Sequence, residues 1–324
     1  MAGETPNLPQ HGSRGAKVVA LGGGHGLYMS LTALKYLTRN VTAVVTVADD
    51  GGSSGRLRVE LGGLPPGDLR MALSALCDDS EWGQTWRDVL QYRFQTRGEL
   101  DGHALGNLLI EGLWELLGDS VAGLDWVGKL LDVKGRVIPM AAVPLSIEAD
   151  VIDPEHGQRT LYGQNLVAKA HGFIESVRLV PENPPVRPEA IEAIENADWV
   201  IFGPGSWYTS VITHLLVPQL REALERTKAK RMLVLNLGSD AETEQLDAAA
   251  HVRSFHEFAP NLRIDTVLVD PESVSRWEKL HAAATLCGAA VMAHPVSDRA
   301  NPGRHDPLYL AAAYRRAFME QLRH

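Results

Sequence analysis

Three times in this chain a short apolar, β-branched run ends directly in a glycine-rich break: VVALGGGHG at 18–26, VTVADDGGSSG at 45–55 and WVIFGPGS at 199–206. This pattern limits the fold more than any other feature. A fully apolar strand followed by glycines and then a helix is the repeating unit of a parallel sheet, because parallel strands must be joined by crossovers. In an open sheet of that kind the loops leaving the strands share one rim. Backbone N–H groups at the helix starts point into it. Three such loops are expected to converge on one anionic ligand.

The rest of the chain fits this unit. Helical spacing at Leu27, Leu31, Leu34 and Leu37 follows the first loop. Helices are predicted over 69–77 with Asp68 as N-cap, over 82–97, after GHALGN (102–107), and over 124–131. Trp114 and Trp126 fall in apolar helical patterns and are expected in the core. From Arg136 to Val180 the segments are short, β-rich and bounded by turns, which predicts a small antiparallel addition outside the parallel core. Four prolines between Pro181 and Pro188 make an extended connector. The alternation then resumes with helix 189–196, strand 199–202, helix 210–227, strand 231–236, helix 245–258, strand 264–269, helix 273–286 and strand 289–293. A last helix follows His305-Asp306-Pro307. The expected fold class is α/β, a doubly wound, mostly parallel, Rossmann-like sheet. It forms one domain over 17–324 behind a disordered lead-in at 1–16.

Composition bounds the partners. A net charge of −9 over 324 residues argues against nucleic acid and anionic membrane as partners. No apolar run approaches the length of a membrane span, and the N-terminus lacks a signal-like apolar core, so membrane insertion is not expected and a cytoplasmic location is. Cys77 and Cys287 are the only cysteines, with no CxxC pair.

The residues suited to chemistry gather at the strand ends. Gly22, Gly23, Gly24 and Gly26 surround His25, whose imidazole exchanges a proton near neutral pH. The dinucleotide fingerprint G-x-G-x-x-G is broken by Leu27, which weighs against a nicotinamide enzyme. Asp49 and Asp50 place two carboxylates at a strand end, where they suit ribose hydroxyls or a magnesium ion held together with a nucleotide. Behind them Gly51, Gly52, Ser53 and Ser54 suit phosphate oxygens, although glycine pairs of this kind also make plain turns. Asp68 and Arg70 fall at a helix start. His103 and Asn107 share a face if both lie on one helical turn, so His25, His103 and Asp50 are the candidate catalytic groups. Gly203, Pro204, Gly205, Ser206, Thr209 and Ser210 form the third loop and its hydroxyl donors. Asn236 ends a strand at the same rim, and Arg304 is a candidate diphosphate clamp.

Taken together, GGGHGL (22–27), VTVADDGGSSGRLR (45–58), PPGDLR (65–70), GHALGN (102–107), ADWVIFGPGSWYTS (197–210) and HDP (305–307) make the chain resemble the YvcK family of gluconeogenesis factors, within the CofD-like superfamily. The resemblance spans nearly the whole chain. It implies a CofD-like fold, binding of UDP-activated sugars and of UDP-N-acetylglucosamine in particular, no required cofactor, and a cytoplasmic role in cell shape and cell-wall synthesis during gluconeogenic growth. Cell-wall regulatory proteins and further copies of the chain are the protein partners expected. The alternative is a CofD-type transferase, moving a phosphorylated group from an activated nucleotide to a hydroxyl. His25 stands where the family often has threonine. The later segment keeps Glu242 and Thr243, expected ligand contacts, but lacks the usual Pro-Gly before them.

Overall fold

The computed structural model describes residues 15–153, 156–238 and 241–321. Its centre is a seven-stranded parallel sheet. The strands are β1 (Val18–Gly22), β2 (Val41–Val45), β3 (Arg136–Pro139), β7 (Trp199–Phe202), β8 (Lys230–Val234), β9 (Thr266–Val269) and β10 (Ala290–Ala293), and they lie in the order β3-β2-β1-β7-β8-β9-β10. β1 pairs with β2 through Val18↔Val41 and with β7 through Val18↔Trp199, both in parallel. Every residue of β1 and of β7 is buried, which is why both read as unbroken apolar runs rather than alternating ones.

Between β3 and β7 lies a separate antiparallel sheet in the order β5-β4-β6, made of β4 (Ser146–Asp153), β5 (Gly157–Tyr162) and β6 (Phe173–Val180). The expected addition is therefore present but starts later than 136. Arg136–Pro139 pairs in parallel with β2 and closes the main sheet. A four-residue edge strand is too short to show by its pattern which sheet it joins.

The helices in chain order are α1 (Gly24–Leu34), α2 (Gly52–Leu61), α3 (Gly67–Leu76), α4 (Glu81–Gln91), α5 (Leu105–Leu117), α6 (Ser120–Leu130), α7 (Gln164–Val167), α8 (Pro188–Glu195), α9 (Thr213–Leu216), α10 (Pro218–Arg226), α11 (Ala248–Phe258), α12 (Trp277–Leu286) and α13 (Pro307–Gln321). α1 packs on α3 and α13, while α8 packs on α10 and α11 on α12. Right-handed crossovers running in opposite directions from β1 put these two groups on opposite faces of the sheet.

Some boundaries differ from those predicted. The helix expected over 82–97 stops at Gln91, and Arg93 bridges to Ala104 in a tight return. The helix expected over 210–227 is three pieces: a π-helix over Trp207–Ile212, then α9, then α10. Val217 is extended because Pro218 follows it. Asp68 is not an N-cap; α3 begins at Gly67, so Asp68 lies inside its first turn. Trp114 is buried as expected, but Trp126 is 55% exposed, with Lys129 Nζ 4.5 Å from its ring centroid. Cys77 and Cys287 are buried free thiols. Of the lead-in, 1–14 lie outside the described residues. Gly15 and Ala16 are fixed through their carbonyls, to Asn40 Nδ2 at 3.0 Å and to Thr38 Oγ1 at 2.8 Å. No helix among the described residues is long and apolar enough to cross a membrane.

Candidate functional site

From β1 the chain moves to β2 on one side, while β7 and then β8 lie on the other. The connections leaving β1 and β7 therefore diverge, and a crevice opens between their carboxyl ends. This is where open α/β sheets hold their ligands. GGGHG and GPGS form its two walls, in direct contact. A Cβ on Gly26 would collide with Pro204 O, so the first loop must be bare for the second to approach. Asn236, at the end of the next strand, grips the second loop from behind. Gly205 N–H donates to its Oδ1 at 3.1 Å, and its Nδ2 donates to Gly205 O at 2.9 Å.

The crevice is a cavity of about 570 Å³ that also takes in Gln164, Ser206, Ser210, Gly238 and the loop Gly303–His305. Among the described residues no carboxylate lines it, although the chain carries nine more acidic than basic charges. α1 starts in this wall with Gly23 as N-cap, no side-chain cap and no acid in its first turn. Asp68 takes the Gly24 N–H from below, and the rest of this positive end borders the cavity, where it suits an anion. Arg304 is the one lining residue, among those described, with a permanent charge. His25 is exposed at the lip. His305 is buried against Leu235 O at 3.3 Å, and burial pushes its pKa down to about 4, so it is neutral near pH 7.

A larger hollow of about 1500 Å³ lies at the other end of the sheet, against Lys17, Val18, Val41 and Trp199. Those are the amino ends of the strands, where helix N-termini do not point. Volume alone does not outweigh the electrostatics of the carboxyl rim.

The DDGGSSG loop is put to different use than its sequence suggests. Ser53 is buried, and its hydroxyl is saturated: it lies 3.0 Å from His103 Nδ1 and accepts from Asn107 Nδ2 at 3.0 Å and Ala104 N at 3.3 Å. His103 and Asn107 do converge, but on Ser53 rather than on the crevice. Burial and the Arg56 guanidinium hold the His103 pKa below its ordinary value. Arg70 is buried too. Its Nε donates to Asn107 Oδ1 at 2.8 Å and its Nη1 to Gln91 Oε1, so it ties α3 to α4 and α5 instead of facing an anion. Ser54 is buried against Gly67. Gly51 N–H donates to Asp49 Oδ1 at 3.0 Å, and Gly52 opens α2.

The two neighbouring aspartates part company. Asp50 turns toward the inserted sheet and accepts from Asn165 N at 2.9 Å. Asp49 stays by Gly67 at the start of α3, and its charge reaches Asp68. Asp68 is enclosed below the first loop and accepts from Gly24 N–H, while its Oδ2 has no hydrogen-bond partner. Burial, and then Asp49, push its pKa up to about 7. The carboxylate pair that the fold assembles is thus Asp49 with Asp68. Two carboxylates with ligand phosphate oxygens suffice for magnesium. No group of three or more metal-type side chains is found among the described residues.

Glu242 and Thr243 are both buried, and Glu242 Oε1 accepts from Tyr208 N at 3.2 Å. A carboxylate already occupies the start of the π-helix, where an anionic ligand was expected. Thr209 lies in that helix, buried and away from the cavity, while Ser210 reaches its wall. Three contributors have no sequence signal. Gln164 comes from the inserted sheet, and Gly163 precedes it. His214 lies between Ser210 O, 2.9 Å from Nδ1, and Val44 O, 3.0 Å from Nε2, beneath the rim.

The profile of the family described as 2-phospho-L-lactate transferase CofD matches residues 18–300. A Mycobacterium leprae protein named "Putative gluconeogenesis factor" is 50% identical over 305 residues, covering 91% of this chain and 84% of the relative. The gluconeogenesis factor of Bacillus subtilis is 38% identical over 259 residues, 80% of each chain. A crystal structure of a UPF0052-family protein from Bacillus halodurans superposes with a TM-score of 0.84 at 32% identity, covering 93% of this chain and 99% of that one.

Proposed function

The chain belongs to the CofD family, on its gluconeogenesis-factor branch, and from that premise we propose that its crevice binds a UDP-activated sugar, UDP-N-acetylglucosamine above all, as the signal read by a regulatory protein. The observation that carries this reading is the N-terminus of α1, which borders, beside Arg304, a cavity that no carboxylate lines among the described residues. The N–H groups at the start of α1 and that of Ser206 take the diphosphate, Arg304 adds its charge, and the cavity volume lies in the range of small-molecule sites. Occupancy shifts the population between conformations that cell-wall regulatory proteins in the cytoplasm distinguish, and so couples wall synthesis and cell shape to gluconeogenic growth. Titration calorimetry of the chain with UDP-N-acetylglucosamine tests it. A micromolar dissociation constant, on the order of −8 kcal/mol, is expected. At one hundred times that concentration the ligand should add about 2.7 kcal/mol of stability. No heat and no melting shift at millimolar ligand would overturn the reading.

One observation supports a second reading, transfer of a phosphorylated group from an activated nucleotide to a hydroxyl. Asp68 has a pKa near 7, suited to a general base, and Asp49 beside it could share a magnesium ion. Magnesium-dependent turnover of an activated nucleotide, lost in Asp68→Asn, would establish that reading in place of the first.

A further inference from the structure

Among the described residues, the inserted antiparallel sheet reaches the crevice at one point. Its short helix α7 packs on the π-helix that follows the GPGS loop, and Gln164, the first residue of α7, lines the cavity. The Gln164 Oε1 is enclosed by protein and has no hydrogen-bond partner, while its side chain lines the cavity, so a turn of the amide brings an unsatisfied acceptor to the wall. Leaving a buried acceptor unsatisfied costs stability, and a ligand that supplies a donor removes that cost. Met29 and Leu237 line the same cavity and add apolar surface.

The position of Gln164 is held from the main sheet. Asp50 Oδ1 accepts the N–H of Asn165 at 2.9 Å. Asp50 Oδ2 lies where a Cβ of residue 163 would stand, so only glycine lets the carboxylate close on α7, and Gly163 has φ +96°. Asp50 thus latches the start of α7 beside the crevice.

We propose that Gln164 is the residue that selects the sugar of the bound nucleotide, its Oε1 accepting from an amide N–H or a hydroxyl that UDP alone lacks. The inference rests on the reading of the crevice as a UDP-sugar site and deepens it. An acetamido group fits this wall on two counts, because its N–H suits Oε1 and its methyl suits Met29 or Leu237. A site built around an acceptor penalises ligands that leave the acceptor unpaired, and this is how polar discrimination arises.

Titration calorimetry with UDP, UDP-glucose and UDP-N-acetylglucosamine on the full chain tests it, with wild type, Gln164→Leu and Gln164→Glu. Wild type should prefer UDP-N-acetylglucosamine to UDP. The ratio of those two affinities should fall roughly tenfold in Gln164→Leu, which fills the space without an acceptor. Gln164→Glu keeps an acceptor and should retain most of the ratio. An unchanged ratio in Gln164→Leu overturns the inference while leaving the crevice reading intact. An equal loss of ratio in both variants also overturns it, because shape rather than the acceptor would then be responsible. Absence of any UDP-sugar binding to wild type overturns both.

Discussion

Asp68 is a carboxyl group enclosed by the first glycine loop, with one oxygen on Gly24 N–H and the other without a partner. Its pKa is about 7 in the folded chain against 3.8 in an unfolded one. Between those values the native state keeps a proton that the unfolded state releases. Stability is therefore lost as pH rises from about 4 to about 7, with a ceiling of about 4 kcal/mol from this group. Asp68→Asn removes the titration. Its melting temperature relative to wild type should be higher at pH 8 than at pH 5, and a difference independent of pH would contradict the assignment. A diphosphate placed against the same loop favours protonated Asp68. Affinity for UDP-N-acetylglucosamine should accordingly decline between pH 6.5 and 8.5 in wild type and much less in Asp68→Asn, as calorimetry across that range would record.

At the scale of elements, the junction between α1 and the loop after β7 matters most. The N-cap of α1 is Gly23, and the third residue of the helix, Gly26, abuts Pro204 O. A methyl there has nowhere to go unless the two loops separate. Gly26→Ala should cost about 1–3 kcal/mol, the range for overpacking a tight contact, and should also abolish ligand binding, because the loops that part are the walls of the crevice. Urea denaturation and calorimetry on the same variant check both effects; a variant of wild-type stability would mean that the loops do not need this approach. The π-helix over Trp207–Ile212 is held from both ends, by Glu242 on Tyr208 N and by His214 between Ser210 O and Val44 O. Burial pushes the His214 pKa down to about 4, so near pH 7 the ring is neutral and its single N–H donates to one of those two carbonyls. Irregular helices of this type often mark functional sites, and here it fixes Ser210 in the cavity wall.

At the scale of the molecule, the parallel sheet supplies a rigid rim, and two outlying pieces close over it: the inserted sheet through Gln164 and the loop Gly303–His305 before α13. A ligand bridging these parts should slow backbone hydrogen exchange at 23–26, 163–166, 204–210 and 303–305 together, and leave α12 at the far edge unchanged. Protection confined to 23–26 and 204–210 would show that the insertion does not take part in binding.

What the sequence determined by itself is the framework of the rim. Buried strands and their glycine exits are local signals, since a short β-branched apolar run that breaks into glycines reads as a covered strand and its exit, and bare loops let backbone groups come close to one another and to a ligand. GGGHG and GPGS accordingly lie where that pattern places them. The tertiary structure alone decided which polar side chains face the cavity. Ser53 is spent on His103 and Asn107, fifty or more positions away, and Asp50 on Asn165, 115 positions away. Asp68 and Asp49 were drawn together by the start of α3, while Gln164 arrived from a sheet whose pattern says nothing of the crevice. The physical reason is that backbone conformation follows from neighbours along the chain. A buried hydroxyl, carboxylate or amide instead takes whatever partner the packing of distant elements brings within about 3 Å, and no local pattern records that choice.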